Sequence, residues 1–231
     1  MTLKALAFDT GGTILDWHGG ISRAFAKAGA RRDLVADWPA VTNEYRRRSL
    51  RKMVGQINPA FDFDDVHRET LDEVVKDFRL DALTAEDRDA IWRTWYALDA
   101  WPDFPDVLAR LRQRFVVVSF TLLTTSLVIS VSRKNFLQWD AIISCQMTGF
   151  HKPRPEAYEK AAQWLALDPE EILMVACHNF DLNAARACGY RSAFVRRPTE
   201  WGPEQPPDPV PNPAHDFVAD SFSELAGRLG A

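Results

Sequence analysis

The residues best suited to chemistry follow short apolar runs that are typical of buried strands. Asp9 comes directly after the run at residues 3–8, and Gly11 and Gly12 allow the chain to turn back with backbone N–H groups directed toward the carboxylate. Ligands bind at the carboxyl ends of strands in open α/β sheets. Asp9 could therefore belong to a binding or catalytic site, or it could simply cap a turn.

Three further strand ends carry polar side chains. Thr121 ends the β-branched run at 115–121, Lys152 follows a strand at 140–145, and a strand at 172–177 leads into His178, Asn179 and Asp181. The carboxyl ends of parallel strands lie along one edge of a sheet, so these residues should converge with Asp9. Ser119 competes with Thr121, but it should lie two positions deeper in its strand. The pattern predicts a site at this edge.

The elements that position these residues are indicated by a change in periodicity. Residues 17–100 show helical spacing of apolar side chains, whereas strands and helices alternate after residue 101. The expected helices are 103–114, 124–136, 155–167, 181–188 and one from Ser221, whose hydroxyl and Glu224 form a capping box. Further strands are expected at 193–195 and 217–219. The prediction is an α/β protein with a doubly wound, Rossmann-like parallel sheet from residues 1–16 and 101–231 and an inserted helical cap domain at 17–100.

Composition excludes several classes of protein. The 231 residues carry 28 Lys and Arg against 32 Asp and Glu, a net charge of −4, which indicates no nucleic-acid surface. Three scattered cysteines are too few for a disulfide framework or a cysteine-based zinc site. No apolar segment approaches the roughly 20 residues that a bilayer requires, and the chain opens without a leader pattern. We expect a cytoplasmic protein without a membrane partner.

Seven of the 14 prolines fall between residues 198 and 213, which predicts a surface loop.

Taken in order, these motifs resemble the haloacid dehalogenase superfamily. They are Asp9-x-x-Gly-Thr13, an apolar strand ending in a hydroxyl residue, Lys152-Pro-x-Pro-x-x-Tyr158, and His178-Asn-Phe-Asp181 after a strand. The match covers nearly the whole chain. It is most similar to the type II (S)-2-haloacid dehalogenases, including forms that act on fluorinated acids, because of the helical cap, the Asp16-Trp17 pair and the segment 201–203.

The resemblance implies that Asp9 attacks the carbon bearing the leaving group and that water then hydrolyses the resulting ester. It implies a catalytic set of Asp9, Thr13, Lys152 and Asp181, with Lys152 keeping the nucleophile ionised. Substrate and halide would be bound by Arg46, Thr121, Tyr158, His178, Asn179 and Trp17. Some of these residues have simpler interpretations. Lys152 could be a solvated surface lysine, Arg46 stands in the run 46–48, typical of a solvated helix face, Tyr158 could be helix core, and His178 could be structural.

Three departures from the family pattern limit the inference. Gly11 stands where the dehalogenases usually carry an aromatic residue, so the pocket could be larger or filled by Trp17. Leu122 replaces an asparagine, and the last motif reads Ala-Cys-His-Asn at 176–179. Magnesium-dependent phosphatases of this superfamily need carboxylates at the positions of Gly11 and Cys177, so we expect no metal and no cofactor.

The sequence therefore predicts a metal-independent hydrolase of a small carboxylic acid, acting on a carbon–halogen bond. A related carbon–nitrogen hydrolase of the azetidine-carboxylate type, or a non-catalytic binding protein of the same fold, stays open. The resemblance also suggests a homodimer, which exposed apolar residues on the cap helices could support, although the apolar stripes of a monomer look the same in sequence.

Overall fold

The structure, a computed structural model, describes residues 2–54, 56 and 62–231. Its centre is a six-stranded, fully parallel sheet in the order β3-β2-β1-β4-β5-β6. The strands are β1 (Ala5–Phe8), β2 (Val116–Thr121), β3 (Ala141–Ser144), β4 (Ile172–Ala176), β5 (Arg191–Val195) and β6 (Phe217–Ala219). β1 lies between β2 and β4, so Asp9 leaves the middle of the sheet with polar strand ends on both sides. The predicted α/β parallel-sheet fold is confirmed.

Ten α-helices are found within the described ranges. They are α1 (Trp17–Ala30), α2 (Trp38–Met53), α3 (Phe63–Asp77), α4 (Ala85–Arg93), α5 (Pro105–Leu111), α6 (Thr125–Lys134), α7 (Cys145–Thr148), α8 (Pro155–Leu165), α9 (Asn179–Ala187) and α10 (Phe222–Arg228). Two short 3₁₀ helices, Thr94–Ala97 and Pro169–Glu171, complete the set. None of the helices in this part of the chain is long and apolar enough to cross a bilayer.

The two faces of the sheet pack into separate apolar clusters because side chains alternate along each strand. Leu6 and Phe8 belong to the larger cluster, whereas Ala5 and Ala7 belong to the smaller one with Tyr158. Every residue of β1 is buried, as expected for a strand covered on both faces.

Helices α1 to α4 pack on one another, and their core is continuous with one face of the sheet. Trp17, Tyr45 and Trp95 fall in the same buried cluster as Phe8. The helical segment is therefore held against the sheet by shared apolar packing. The predicted cap limits of 17–100 stay a prediction, and residues 55 and 57–61 of that range lie outside the described residues.

Several element limits differ from the sequence expectations for local reasons. Cys145 begins the short helix α7 and does not end a strand, because the Ser144 hydroxyl accepts a hydrogen bond from the N–H of Gln146. α9 begins at Asn179, two residues earlier than expected. Ser221 caps α10 as predicted, but the Glu224 carboxylate accepts from the N–H of Asp220, one residue before the cap.

Candidate active site

Asp9 is fixed by contacts that treat its two carboxylate oxygens differently. The Thr13 hydroxyl donates to Asp9 Oδ2 at 2.8 Å, and His178 Nδ1 lies 3.3 Å from the same oxygen. Asp9 Oδ1 has a more distant neighbour, the Lys152 ammonium at 3.8 Å. The N–H of Cys177 donates to the Thr13 oxygen at 3.1 Å, which turns the Thr13 proton toward Asp9. Oδ2 is therefore held, and Oδ1 is left freer to react.

The carboxylate of Asp9 is ionised although it is 7% exposed. Burial alone would raise the pKa of Asp9, but the hydrogen bond from His178, the charges of Lys152 and His178 and the Thr13 hydroxyl outweigh burial and hold the pKa below its ordinary value. A charged and poorly hydrated carboxylate is the form that can attack carbon.

Lys152 is a buried member of this network and not a surface lysine. Its ammonium donates to Asp181 Oδ2 at 2.7 Å and to the carbonyl of Phe120 at 2.8 Å, and the side chain is 1% exposed. The Tyr158 hydroxyl donates to Asp181 Oδ1 at 2.6 Å. Burial raises the pKa of Asp181, and the Lys152 charge opposes this shift. Tyr158 therefore lies behind Asp181, away from the residues that border the cavity.

A cavity of about 390 Å³ opens beside Asp9. Within the described part of the chain its polar lining comes from Asp9, Arg46, Arg51, Thr121, His178 and Asp208, and its apolar lining includes Leu50, Met53, Phe63, Leu122, Leu123, Phe180 and Trp201. A mainly apolar cavity with a few convergent polar groups is the usual form of a small-molecule site.

Arg46 is the member of the arginine run that faces this cavity. Its side chain is buried between the rings of Trp17 and Trp95, with the guanidinium carbon 5.5 and 5.3 Å from the ring centroids. Its Nε and Nη1 atoms have no hydrogen-bond partner among the described residues. Burial lowers the pKa of Arg46, while the charges of Glu200 and Asp9 raise it, and the guanidinium stays charged. Arg46 can therefore offer unused N–H donors to an anion.

The other two arginines are paired elsewhere. Arg47 forms an ion pair with Glu204, and Arg48 donates to Glu44 at 2.7 Å and to Asp77 at 2.6 Å. The solvated-face interpretation therefore suits Arg47 and Arg48, and it does not describe Arg46.

Thr121 borders the cavity with its own proton available. Its oxygen accepts the N–H of Leu123 at 3.1 Å, so the hydroxyl proton is free to be donated to a ligand. Ser119, the competing residue, bonds to the Thr10 hydroxyl at 2.7 Å beneath the site.

Two predicted ligand-binding residues have other contacts. Trp17 is not among the residues that line the cavity; its indole N–H donates to Glu200 at 3.0 Å and its ring packs on Trp201. Asn179 bonds to the proline-rich loop, donating to the carbonyl of Val210 at 2.9 Å and accepting from the N–H of Asn212 at 2.9 Å. Both side chains thus hold structure around the site.

Gly11 borders the cavity, with Arg46 and Leu123 as its nearest side-chain neighbours, and Trp17 does not fill the place of the missing aromatic residue. A Cβ at Gly11 would lie 3.6 Å from Arg46 Nη2 and 3.8 Å from Leu123 Cδ2. A larger side chain there would compete with the guanidinium for the same volume.

Glu200 is a residue of the site that was not predicted from the sequence. It is 2% exposed, and its Oε1 lies 3.0 Å from His178 Nε2. Burial would raise the pKa of Glu200, but the charge and hydrogen bond of His178, the Trp17 N–H and the charge of Arg46 lower it. The only available signal was its position just before Trp201, inside a proline-rich loop that gives no periodicity.

The charges around the cavity are balanced when His178 is protonated. Burial opposes the charged form of His178, yet the neighbouring Cys177, Glu200 and Asp9 raise its pKa well above the ordinary value. The carboxylates of Asp9, Asp181 and Glu200 then face the cations of Lys152, Arg46 and His178. Mutual neutralisation is what allows this many charges to stay buried.

One group of side chains in the described ranges is close enough to share a metal ion. The donor atoms of Cys177, His178 and Glu200 lie within 4.8 Å of one another. However, both ring nitrogens of His178 lie within hydrogen-bond distance of carboxylates, and burial raises the pKa of the Cys177 thiol to about 11. These three residues form an ion-paired cluster, and we assign no metal to them.

Comparison with known proteins identifies the family. Residues 3–189 match the model of the haloacid dehalogenase-like hydrolases. This chain is a member of that hydrolase family. The fold also matches the crystal structure of a defluorinating L-2-haloacid dehalogenase, with a TM-score of 0.91 and 33% identity over 99% of this chain and 96% of the other.

Curated relatives include two kinds of hydrolase. An (S)-2-haloacid dehalogenase of Pseudomonas sp. strain YL is 28% identical over 84% of this chain and 83% of its own. The pyrophosphatase PpaX of Anoxybacillus flavithermus is 25% identical over 100% of this chain and 98% of its own. The residues around Asp9 must therefore distinguish dehalogenase from phosphatase chemistry in this hydrolase.

Proposed function

We propose that this hydrolase cleaves the carbon–halogen bond of short (S)-2-haloacids through an ester on Asp9. The observation that carries the proposal is that an ionised, buried carboxylate and an arginine with unused N–H donors border one mainly apolar cavity. An apolar wall strips water from the nucleophile, and the guanidinium stabilises negative charge on the departing halide. Similarity to (S)-2-haloacid dehalogenases supports the same assignment.

The reaction divides into two steps. Asp9 Oδ1 attacks the carbon that bears the halogen, and the carbon–halogen bond breaks with its electron pair leaving as halide. Water then adds to the Asp9 carboxyl carbon, and the bond from that carbon to Oδ1 breaks. The product hydroxy acid takes Oδ1 and one water proton, and the second proton is released as Asp9 ionises again. Thr121, whose proton is free, donates to the substrate carboxylate.

The site favours this chemistry over phosphoryl transfer. A magnesium-dependent phosphatase of this family would need carboxylates at positions 11 and 177, which hold Gly11 and Cys177. Of the nearby carboxylates, Asp181 is bound by Lys152 and Tyr158, and Glu200 by His178 and Trp17. The donor set does not fit Mg²⁺, so the proposed reaction needs no metal.

Fluorinated acids are included in the proposed substrate class. Fluoride is a poor leaving group that requires strong hydrogen-bond donors, and Arg46, a charged residue with unused N–H groups, borders the cavity. The 33% identical relative described as defluorinating supports the extension. No feature of the site or of the relatives favours the carbon–nitrogen hydrolase or the binding protein.

The test is release of halide from 2-chloropropionate enantiomers, chloroacetate and fluoroacetate, with opening of the azetidine-2-carboxylate ring to an amino hydroxy acid, detected by mass spectrometry, as the competing arm. We expect halide from the (S) acid at the same rate in EDTA and in Mg²⁺, and a loss of at least about 10⁴-fold in Asp9→Asn. Single turnover in ¹⁸O water should label Asp9 before product. Inorganic phosphate from pyrophosphate with no halide from any acid would refute the proposal.

A further inference from the structure

His178 links the carboxylate of Asp9 to a second carboxylate, that of Glu200. The imidazole lies between Asp9 Oδ2, 3.3 Å from Nδ1, and Glu200 Oε1, 3.0 Å from Nε2. A nucleophile, a histidine and an orienting acid in one hydrogen-bonded chain form the arrangement in which the third group fixes the ring of the second.

The loop that carries Glu200 is fastened to the loop that carries Asp9. Trp17 donates to Glu200 Oε1 at 3.0 Å, and Arg197 donates to the carbonyl of Thr13 at 3.0 Å. Gly12 has φ +89°, and a Cβ there would lie 2.1 Å from Glu200 Oε1. The turn after β1 is therefore shaped to admit the Glu200 carboxylate beside the nucleophile.

The donors around Asp9 converge on Oδ2 and leave Oδ1 for attack on the substrate. In the ester, Oδ2 is the carbonyl oxygen, and it gains negative charge when water adds to the carboxyl carbon. The Thr13 hydroxyl, 2.8 Å away, and His178 Nδ1 are already placed where that charge develops. Preorganised donors of this kind are what an oxyanion hole requires.

We propose that Thr13 and His178 form the oxyanion hole for hydrolysis of the Asp9 ester, and that Glu200 is the positioning residue that holds His178 in place as a donor. The inference rests on the proposed ester mechanism and deepens it. During hydrolysis the carbonyl electron pair moves onto Oδ2, where His178 and Thr13 donate to it. When the bond to Oδ1 breaks, the pair returns to the carbonyl and the hydroxy acid leaves with Oδ1.

The charges that face His178 make its titration a useful readout. Asp9, Cys177 and Glu200 adjoin the ring, and beyond them lie Lys152 and Arg46. The imidazolium form is the donor, so its contribution is present at low pH and is lost as pH rises through the raised pKa of His178. Glu200→Gln removes one of the charges that raises this pKa, so the loss should begin at lower pH.

The experiment compares Glu200→Gln and His178→Asn with Glu204→Gln, a matched control on the same loop whose carboxylate pairs with Arg47. Rapid-quench halide release and the mass of the Asp9 peptide separate ester formation from ester hydrolysis with (S)-2-chloropropionate. For Glu200→Gln we expect one equivalent of halide per site at near wild-type rate, then ester hydrolysis slowed about tenfold. For His178→Asn we expect ester hydrolysis to be slowed about 10²-fold.

Accumulated ester on Asp9 and an alkaline limb displaced to lower pH in Glu200→Gln would support the inference. Equal slowing of both steps without ester, or an unmoved limb, would overturn it. If thermal melting shows that Glu200→Gln does not fold, the test rests on His178→Asn. In that variant, ester hydrolysis slowed more than the halide burst supports the inference, and equal slowing of both overturns it. Absence of halide release by the wild type would overturn the proposed function itself, whereas a wild-type burst with normal hydrolysis in both variants would overturn this inference alone.

Discussion

Arg46 and Arg47 are neighbours in α2, yet their surroundings differ completely. Arg46 is buried against two indole rings, and Arg47 is 39% exposed beside Glu204. A buried cation without a hydrogen-bond partner for two of its atoms is costly, and such a cost is commonly retained where a ligand supplies the missing partner. These surroundings distinguish a candidate binding arginine, Arg46, from a surface arginine, Arg47, one position away.

This contrast gives a matched pair of substitutions. Arg46→Lys keeps the charge but loses the planar set of donors, so we expect kcat/KM for (S)-2-chloropropionate to fall by about 10²-fold. Arg47→Lys should change it by less than about threefold, because an exposed ion pair contributes little. Steady-state halide release checks both, and equal effects in the two variants would contradict the assignment of Arg46.

At the scale of elements, the turn between β1 and α1 has the strictest requirements. It must reverse the chain after Asp9, place Thr13 under the carboxylate, and leave room for Glu200 over Gly12. Glycine suits position 12 for two reasons: it adopts the positive φ of the turn, and it has no side chain that would collide with Glu200. The same turn thus joins the proposed nucleophile to the loop of Glu200, a residue that lies 188 positions after Gly12 in the sequence.

Gly12→Ala and Gly149→Ala separate these two requirements. Both glycines have positive φ, +89° and +74°, but a Cβ at Gly149 meets no atom within 4 Å. We expect Gly149→Ala to lower the free energy of unfolding by about 1 kcal/mol, from backbone strain alone. Gly12→Ala should cost clearly more, because Glu200 must also move. Urea denaturation measures both, and equal losses would show that Glu200 does not press on Gly12.

At the scale of the whole molecule, the homodimer stays a prediction. The exposed large apolar side chains of the described helical segment are Val35, Val54 and Phe78, whereas Phe136 and Ile129 border the same surface hollow on the α6 side of the sheet. Neighbouring apolar side chains on one surface are more typical of a protein contact than isolated ones. If the chain dimerises, the α6 side offers the better surface.

Light scattering at micromolar concentration tests the association. We expect twice the chain mass of 26.2 kDa, and we expect Phe136→Ser to shift the protein toward monomer. Val210→Ser, at another exposed loop position, is the control that should leave the dimer intact. A monomer for the wild type would refute the dimer, and an unaffected Phe136→Ser would place the contact elsewhere.

The sequence by itself determined the sheet, its order of elements and most of the residues at its edge. Local patterning was enough, because β-branched runs specify buried parallel strands and topology then brings their carboxyl ends together. Asp9, Thr121, Lys152 and Asp181 follow from that rule, whereas Thr13 was predicted only from the family resemblance. Motif order also indicated the family, which the match over residues 3–189 confirms.

Only the tertiary structure decided how the remaining side chains are used. It turned Asn179 toward the proline-rich loop, placed Tyr158 behind Asp181 and brought Glu200 to His178. These outcomes depend on contacts between segments far apart in the chain, and an irregular loop such as 196–216 has no periodicity from which to infer them. Burial and the pairing of charges arise only when these segments pack together, so they could not be predicted from residue types along the sequence.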